Sequence, residues 1–168
     1  MARRVFYSFH YDRDHWRVQQ VKNMGVVEGQ PLLSSNAWEE IKRGGNDAIQ
    51  KWIDEQMSGK SCVVVLIGNQ TAGRKWVNYE IIEGWNDKKG VVGVHIHNLE
   101  DQNGKQDTKG GNPFDSITVC QGKKDLSSVV KAYNPPYTSS KYVYDYIKQN
   151  LESWVEEAVT IRNNFNCL

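Results

Sequence analysis

The sequence predicts an α/β domain in which helices cover both faces of a mainly parallel sheet. Residues 62–67 and 91–96 are apolar runs without polar alternation, which is typical of strands buried on both faces. Between them, residues 76–88 carry apolar and aromatic side chains at helical spacing. Because strand and helix alternate along the chain, the connections are predicted to be right-handed crossovers between parallel strands.

The chain begins with a strand, a loop and a helix. Residues 4–9 are predicted to form the first strand, and the polar turn at 10–14 offers two candidate helix N-caps. A short helix is predicted over 15–23, and Gly25 stops it. Residues 26–27, both valine, are predicted to start a second, brief strand.

Residues 37–57 have a helical pattern that two glycines interrupt at 44–45. This interruption predicts two helices or one kinked helix. A serine or asparagine at 35–36 is the predicted cap of the first piece, and Asn or Asp at 46–47 is the predicted cap of the second.

The chain changes character beyond the second apolar strand. Residues 98–115 are almost wholly polar, and an excursion of this length is predicted to be either a lid beside the site or decoration. Residues 116–119 are predicted to form a short edge strand, and 123–138 to be irregular around two prolines. The apolar stripe over 139–163 predicts a terminal amphipathic helix. With no repeat or linker, residues 1–168 are predicted to form a single domain.

The charge pattern argues against nucleic acids and membranes as partners. The chain has 21 basic and 20 acidic residues, a net charge of +1 and no basic block, so the electrostatic footprint of a nucleic-acid binder is absent. We find no signal peptide and no run of about 18 apolar residues. Small ligands or protein partners are therefore favoured.

The cysteine pattern favours a reducing compartment. Cys62, Cys120 and Cys167 are an odd number without CxxC spacing, which predicts neither a disulfide framework nor a zinc site. A soluble, cytoplasmic protein is the simplest expectation.

Five short motifs follow one another with compatible spacing. They are Val-Phe-Tyr-Ser-Phe-His-Tyr at 5–11, Val-Val-Leu-Ile-Gly at 64–68, Trp-Val-Asn-Tyr-Glu-Ile at 76–81, Gly-Val-His-Ile at 93–96 and Gly-Asn-Pro-Phe-Asp at 111–115. Together they resemble the TIR-like domain family, and more closely its bacterial branch, typified by the TIR proteins of Thoeris anti-phage defence. The resemblance implies a flavodoxin-like, three-layer fold with five mainly parallel strands.

The resemblance also implies an activity, which the spacing of the residues does not. Members of the family cleave NAD at the bond between nicotinamide and ribose and make an ADP-ribose-derived signal, often cyclic, that a separate effector protein senses. NAD is then a substrate, and no cofactor is implied. A phage-derived activator and a second copy of the chain are further partners that the resemblance leaves open.

Glu80 matches the family's catalytic glutamate. It falls one helical turn after Trp76, near the carboxyl edge of the predicted sheet, where open α/β folds bind ligands. A carboxylate can stabilise the oxocarbenium character that develops on ribose, and nicotinamide leaves as a neutral group without a general acid. The alternative interpretation is an ordinary first-turn glutamate favoured by the helix dipole. Glu83, one turn later, is the competing carboxylate.

Seven other residues are candidates for substrate binding. The segment from Ser8 through Phe9 and His10 to Tyr11 ends the first strand, where backbone N–H groups can receive phosphate or ribose oxygens. Phe9 is equally well a core residue, and His10 an exposed one. The other three candidates are Trp38, which can stack on a planar ring or anchor its helix; Asn46, which can reach the site or cap a helix; and Trp76, which can raise the pKa of Glu80 by desolvation.

No metal site is predicted, because His95 and His97 lack a third ligand at suitable spacing. Two rival functions stay open. One is a nucleoside 2-deoxyribosyltransferase, which has a related fold and also uses a glutamate. The other is a non-catalytic interaction module that uses the TIR fold only for assembly.

Overall fold

The computed structural model describes residues 3–168 and contains a five-stranded parallel sheet. In chain order the strands of the described residues are β1 (Arg4–Ser8), β2 (Glu28–Gly29), β3 (Cys62–Ile67), β4 (Gly90–His95), β5 (Thr118–Val119), β6 (Lys124–Asp125) and β7 (Ala132–Tyr133). Two of them, β5 and β6, lie outside this sheet and form a separate hairpin. The sheet has the order β2-β1-β3-β4-β7, and every neighbouring pair is parallel. This is the flavodoxin-like order, so the predicted α/β class is confirmed.

Within the described residues, five α-helices surround the sheet. They are α1 (Tyr11–Asn23), α2 (Ser35–Arg43), α3 (Gly45–Met57), α4 (Lys75–Asn86) and α5 (Ser140–Asn164). Side chains from α1 and α5 pack on one face of the sheet, and side chains from α3 and α4 pack on the other. Every residue of β3 and β4 is buried, because both strands lie inside a sheet that is covered on both sides.

The helix ends differ from the prediction in their caps. Helix α1 begins four residues before the predicted start, so Asp12 and Asp14 lie in its first turn, and His10 is a cap without a side-chain hydrogen bond. Ser34, not residues 35–36, caps α2 by accepting a hydrogen bond from Ala37 N at 3.2 Å. The predicted break is confirmed at Gly44, but residues 46–47 lie inside α3 rather than at its cap.

The edge of the sheet is formed by a segment that was predicted to be irregular. The predicted edge strand at 116–119 is wrong, because Thr118–Val119 pairs with Lys124–Asp125 in a separate antiparallel hairpin. The sheet is completed instead by Ala132–Tyr133, which pairs with Gly93 and Val94 of β4. A strand of two residues is too short to produce the alternation from which a strand is predicted.

A disulfide joins Cys120, in the turn between β5 and β6, to Cys167 near the C-terminus. The expectation that no disulfide forms is therefore wrong. An odd cysteine count leaves one thiol without a partner, and here that thiol is Cys62, which is buried in β3.

Within residues 3–168, no helix combines the length and apolarity needed to cross a membrane.

Reduction of the disulfide between Cys120 and Cys167 is expected to lower the free energy of unfolding by about 4 kcal/mol. The bond closes a loop of 47 residues, and its loss restores chain entropy to the unfolded state. Urea unfolding with and without reductant measures the effect. The Cys120→Ser protein is the control, since reductant should not change its stability further. A wild-type protein whose urea midpoint ignores reductant would contradict this expectation.

Candidate active site

A cavity opens at the carboxyl end of β1, the strand beside which the strand order of the sheet reverses. Ligands of open α/β sheets bind at such a switch point. The cavity has a volume of about 290 Å³. Its walls come from the end of β1, the start of α1, the segment that follows β2, and α2, α3 and α4. They consist of Phe6, Tyr7, Phe9, His10, Tyr11, Asp12, Gln30, Pro31, Leu32, Leu33, Trp38, Lys42, Trp52, Ile53, Arg74, Lys75, Trp76, Val77 and Glu80.

Glu80 and Ser8 form a hydrogen-bonded pair beside this cavity. Ser8 ends β1 and is fully buried, and its hydroxyl donates to Glu80 Oε1 at 2.6 Å. Glu80 lies on the buried side of α4 and is 7% exposed. Ser8 does not line the cavity itself, so it reaches a ligand only through the carboxyl group that it contacts.

Burial sets the protonation state of Glu80. Desolvation raises the pKa of this carboxyl from 4.5 to about 8, and the Ser8 hydrogen bond opposes the rise because it favours the charged form. Trp76 precedes Glu80 by one turn and lines the same cavity, and its desolvation of the carboxyl stays a prediction. A positive charge next to the Glu80 carboxyl would favour its ionised form and lower its pKa.

Aromatic side chains form one wall of the cavity. The ring of Trp38 lies 5.6 Å from that of Tyr11 and 6.3 Å from that of Trp52, between centroids. The Tyr11 hydroxyl donates to Leu33 O at 2.6 Å, which fixes its ring. At these distances the rings contact one another, so a planar ligand ring could stack only on the surfaces that they turn to the cavity. Trp52 was not predicted as a site residue, because in sequence it is one apolar position of a helical pattern.

Gln30 is a second residue that the sequence did not point to. Its side chain is buried, accepts from Tyr7 N at 2.9 Å and donates to Tyr7 O at 2.9 Å. The amide therefore continues the hydrogen bonding of the sheet past the two-residue β2 and holds the end of β1 in place. Nothing in the loop composition of residues 28–36 distinguished this glutamine.

The structure brings most of the predicted site residues together. Besides Glu80, the cavity is lined by Phe9, His10, Tyr11, Trp38 and Trp76. Asn46 is not among them, since it is exposed in the first turn of α3. Its role in binding stays a prediction without support from the position of its side chain.

The polar excursion after β4 lies elsewhere on the same edge of the sheet. No residue of 98–115 lines the cavity. The excursion is fixed instead by Arg17, which donates to Leu99 O at 2.7 Å and to Lys105 O at 3.0 Å. Gly110 packs so closely on Gly68 O that an added Cβ would lie 2.1 Å from it. Of the two predicted roles, decoration therefore fits this position better than a lid.

The two histidines of β4 and its end are buried beside this excursion. Burial lowers the pKa of His95 to about 4 and also lowers the pKa of His97. Within residues 3–168, no three or more His, Cys, Asp or Glu side chains come together as a metal site.

Comparison with known proteins places this site in a family. The family described as "Thoeris protein ThsB, TIR-like domain" matches residues 6–101, which contain Ser8, Glu80 and every residue that lines the cavity. A relative from Bacillus cereus (strain MSX-D12), named "Putative cyclic ADP-D-ribose synthase ThsB1", is 37% identical over 122 residues, or 70% of this chain. The match spans 64% of that relative's length. The chain belongs to the TIR-like domain family of the Thoeris protein ThsB.

Proposed function

We propose that the protein cleaves NAD between nicotinamide and ribose and makes an ADP-ribose-derived signal in anti-phage defence. The observation that carries the proposal is the buried Glu80, hydrogen-bonded to Ser8 beside an aromatic cavity at the switch point of the sheet. The name of the Bacillus cereus relative, "Putative cyclic ADP-D-ribose synthase ThsB1", supports the same reaction.

The cavity suits the half of NAD that reacts. Its volume of about 290 Å³ is at the lower end of ligand pockets, which run from about 300 to 1,000 Å³. It therefore takes the nicotinamide and its ribose, and the ADP half lies at the mouth. The aromatic wall of Tyr11, Trp38 and Trp52 stacks on the nicotinamide ring, while C1′ of the ribose faces Glu80.

The positive charge of the substrate favours the ionised form of the Glu80 carboxyl. The nicotinamide of NAD is cationic, so its arrival next to Glu80 favours the carboxylate and expels the proton that burial retains. The carboxylate then stabilises the positive charge that moves to the ribose as the C1′–N bond breaks. The electron pair of that bond stays on nicotinamide, which leaves as a neutral molecule without a proton donor.

The product depends on which nucleophile attacks C1′ next. Water gives ADP-ribose, and a group of the same ADP-ribose unit closes a ring; either nucleophile loses one proton as the new bond forms. We favour ring closure, because apolar aromatic walls exclude water and the relative carries the name of a cyclic ADP-D-ribose synthase. A separate effector senses this product, and a phage-derived activator switches the enzyme on.

The test offers two substrates in separate incubations. One contains NAD, and the other contains a 2-deoxynucleoside with a second free base. Loss of NAD with nicotinamide release, and no base exchange, is the expected result. Base exchange with intact NAD would instead establish the nucleoside 2-deoxyribosyltransferase. If both reactions are absent, with and without infected-cell extract, the result would favour the non-catalytic interaction module.

The dependence of the reaction on pH follows from the state of Glu80. The carboxylate is the active form, so kcat/KM is expected to fall about tenfold per pH unit below the pKa of about 8 and to level off above it. In the complex, the cationic nicotinamide shifts the midpoint of kcat to lower pH. Initial rates between pH 5.5 and 9.5 measure both profiles.

Ser8→Ala is expected to move the kcat/KM midpoint to higher pH, because the lost hydrogen bond favoured the carboxylate. The residues of β1 include no second serine that could serve as a control. Ser8→Thr keeps the hydroxyl and is therefore the matched control. A midpoint that stays fixed when the hydroxyl is removed would contradict the assignment of the profile to Glu80.

A further inference from the structure

In the part of the chain that the structure describes, three lysine or arginine side chains line the cavity, and two of them have no acidic partner. Lys42 is engaged, because its Nζ lies 2.8 Å from Glu39 and 4.0 Å from Asp12. Arg74 and Lys75 also line the cavity. Within residues 3–168, neither has a carboxylate oxygen within 4.0 Å. Two positive charges therefore face the cavity uncompensated.

Neutral contacts hold both cations in position. Arg74 donates from Nε to Gln70 O at 3.0 Å and from Nη2 to Gln70 Oε1 at 3.1 Å. Its charge reaches across the mouth, since after burial it is the next cause of the lowered pKa of His10 at the end of β1. The Lys75 ammonium lies 4.9 Å from the ring centroid of Trp76, which places it over the aromatic rim.

The two cations lie at the beginning of α4, ahead of Glu80 in the wall of the same cavity. Lys75 is the first residue of α4 and precedes Glu80 by five residues, which corresponds to about 7.5 Å along the helix axis, and Arg74 is the cap before it. When C1′ of the nicotinamide ribose faces Glu80, the 5′ oxygen on the far side of the ribose points toward the mouth. The phosphates attached to that oxygen then come next to Arg74 and Lys75.

We propose that Arg74 and Lys75 form a diphosphate subsite that selects dinucleotides over nucleosides. The inference rests on the proposed function for the orientation of the substrate. Arg can donate two parallel hydrogen bonds to phosphate oxygens, and Lys adds a compact positive charge. Both side chains are exposed, so the attraction is screened by salt and weakens as ionic strength rises.

Equilibrium binding of ADP-ribose tests the subsite without any turnover. This probe carries the diphosphate but lacks the bond that the proposed reaction breaks. In the R74Q/K75Q protein, the Kd of ADP-ribose measured by calorimetry is expected to rise by at least about tenfold. Its dependence on NaCl is expected to be shallower than in the wild type. K51Q removes one exposed charge of α3 outside the cavity and should bind like the wild type.

A charge-conserving pair separates electrostatics from a local change of structure. R74K/K75R breaks the fork on Gln70 but keeps both charges, so it should recover most of the affinity. An unchanged Kd in R74Q/K75Q, an equal loss in R74K/K75R, or no binding of ADP-ribose by the wild type would overturn the proposal. Failure of the proposed function looks different: ADP-ribose binding would depend on both cations while NAD stayed intact in every cleavage assay.

Discussion

The Glu80→Gln protein is expected to release nicotinamide from NAD at least about 10³ times more slowly than the wild type. The amide fills the same space and can accept the Ser8 hydrogen bond, but it carries no negative charge for the developing oxocarbenium ion. Initial rates at pH 8.5, where the wild-type carboxyl is mostly ionised, give the ratio.

The same substitution is expected to stabilise the fold. Burial raises the pKa of Glu80 in the folded state from 4.5 to about 8, so the folded protein binds this proton more tightly than the unfolded chain. The contribution of Glu80 to the free energy of unfolding is fully present below about pH 4.5, and it is lost as the pH rises toward 8. Glu80→Gln removes that loss, which is on the order of 5 kcal/mol above pH 8.

Thermal melts between pH 4.5 and 9 measure this difference. The Tm of the variant should exceed that of the wild type at high pH and approach it near pH 4.5. Glu83→Gln is the matched control, because Glu83 is exposed on the same helix and should change neither the rate nor the Tm profile. A Glu80→Gln protein that cleaves NAD normally would contradict the catalytic role, even if its melting behaves as expected.

Arg17→Met is expected to lower the free energy of unfolding by about 4 kcal/mol. Arg17 and Asp14 form an ion pair at 3.0 Å, and their side chains are 3% and 0% exposed. Removing the guanidinium leaves a carboxylate buried without its partner, which costs about 3 to 5 kcal/mol. The carbonyls of Leu99 and Lys105 lose their donor as well, so the excursion after β4 is released.

The neighbouring Arg13 provides the comparison. It pairs with Asp107 at 2.8 Å, but its side chain is 40% exposed, and pairs of this kind contribute about 1 kcal/mol or less. Urea unfolding of Arg17→Met and Arg13→Met measures both costs, and hydrogen exchange over residues 99–107 reports the release. Equal costs for the two variants would show that burial does not govern the strength of this pair.

The central part of the fold could be predicted because its signals are long and local. Strands β3 and β4 are six-residue apolar runs, and α4 between them has helical spacing. Strand β7 could not be predicted, since its two residues pair with β4 only through tertiary contacts. The disulfide was missed for a similar reason: Cys120 and Cys167 are 47 residues apart, and nothing local to either shows that they meet.

The candidate site was predictable to different degrees. The position of Glu80 near the sheet edge followed from periodicity, whereas its catalytic role came from the resemblance to a family. Its pairing with Ser8 joins side chains 72 residues apart and needed the structure. Gln30 and Trp52 were missed because a buried side-chain amide and a cavity-facing indole look in sequence like any loop or helix residue.

The most direct test of the proposed reaction is the mass balance of NAD with the wild-type protein. The protein is incubated with NAD, with and without extract of infected cells, and the products are quantified by mass spectrometry over time. We expect one nicotinamide to be released for each NAD lost, together with a matching amount of an ADP-ribose-derived product. NAD that remains unchanged in every sample, including those with extract, would contradict the proposed reaction.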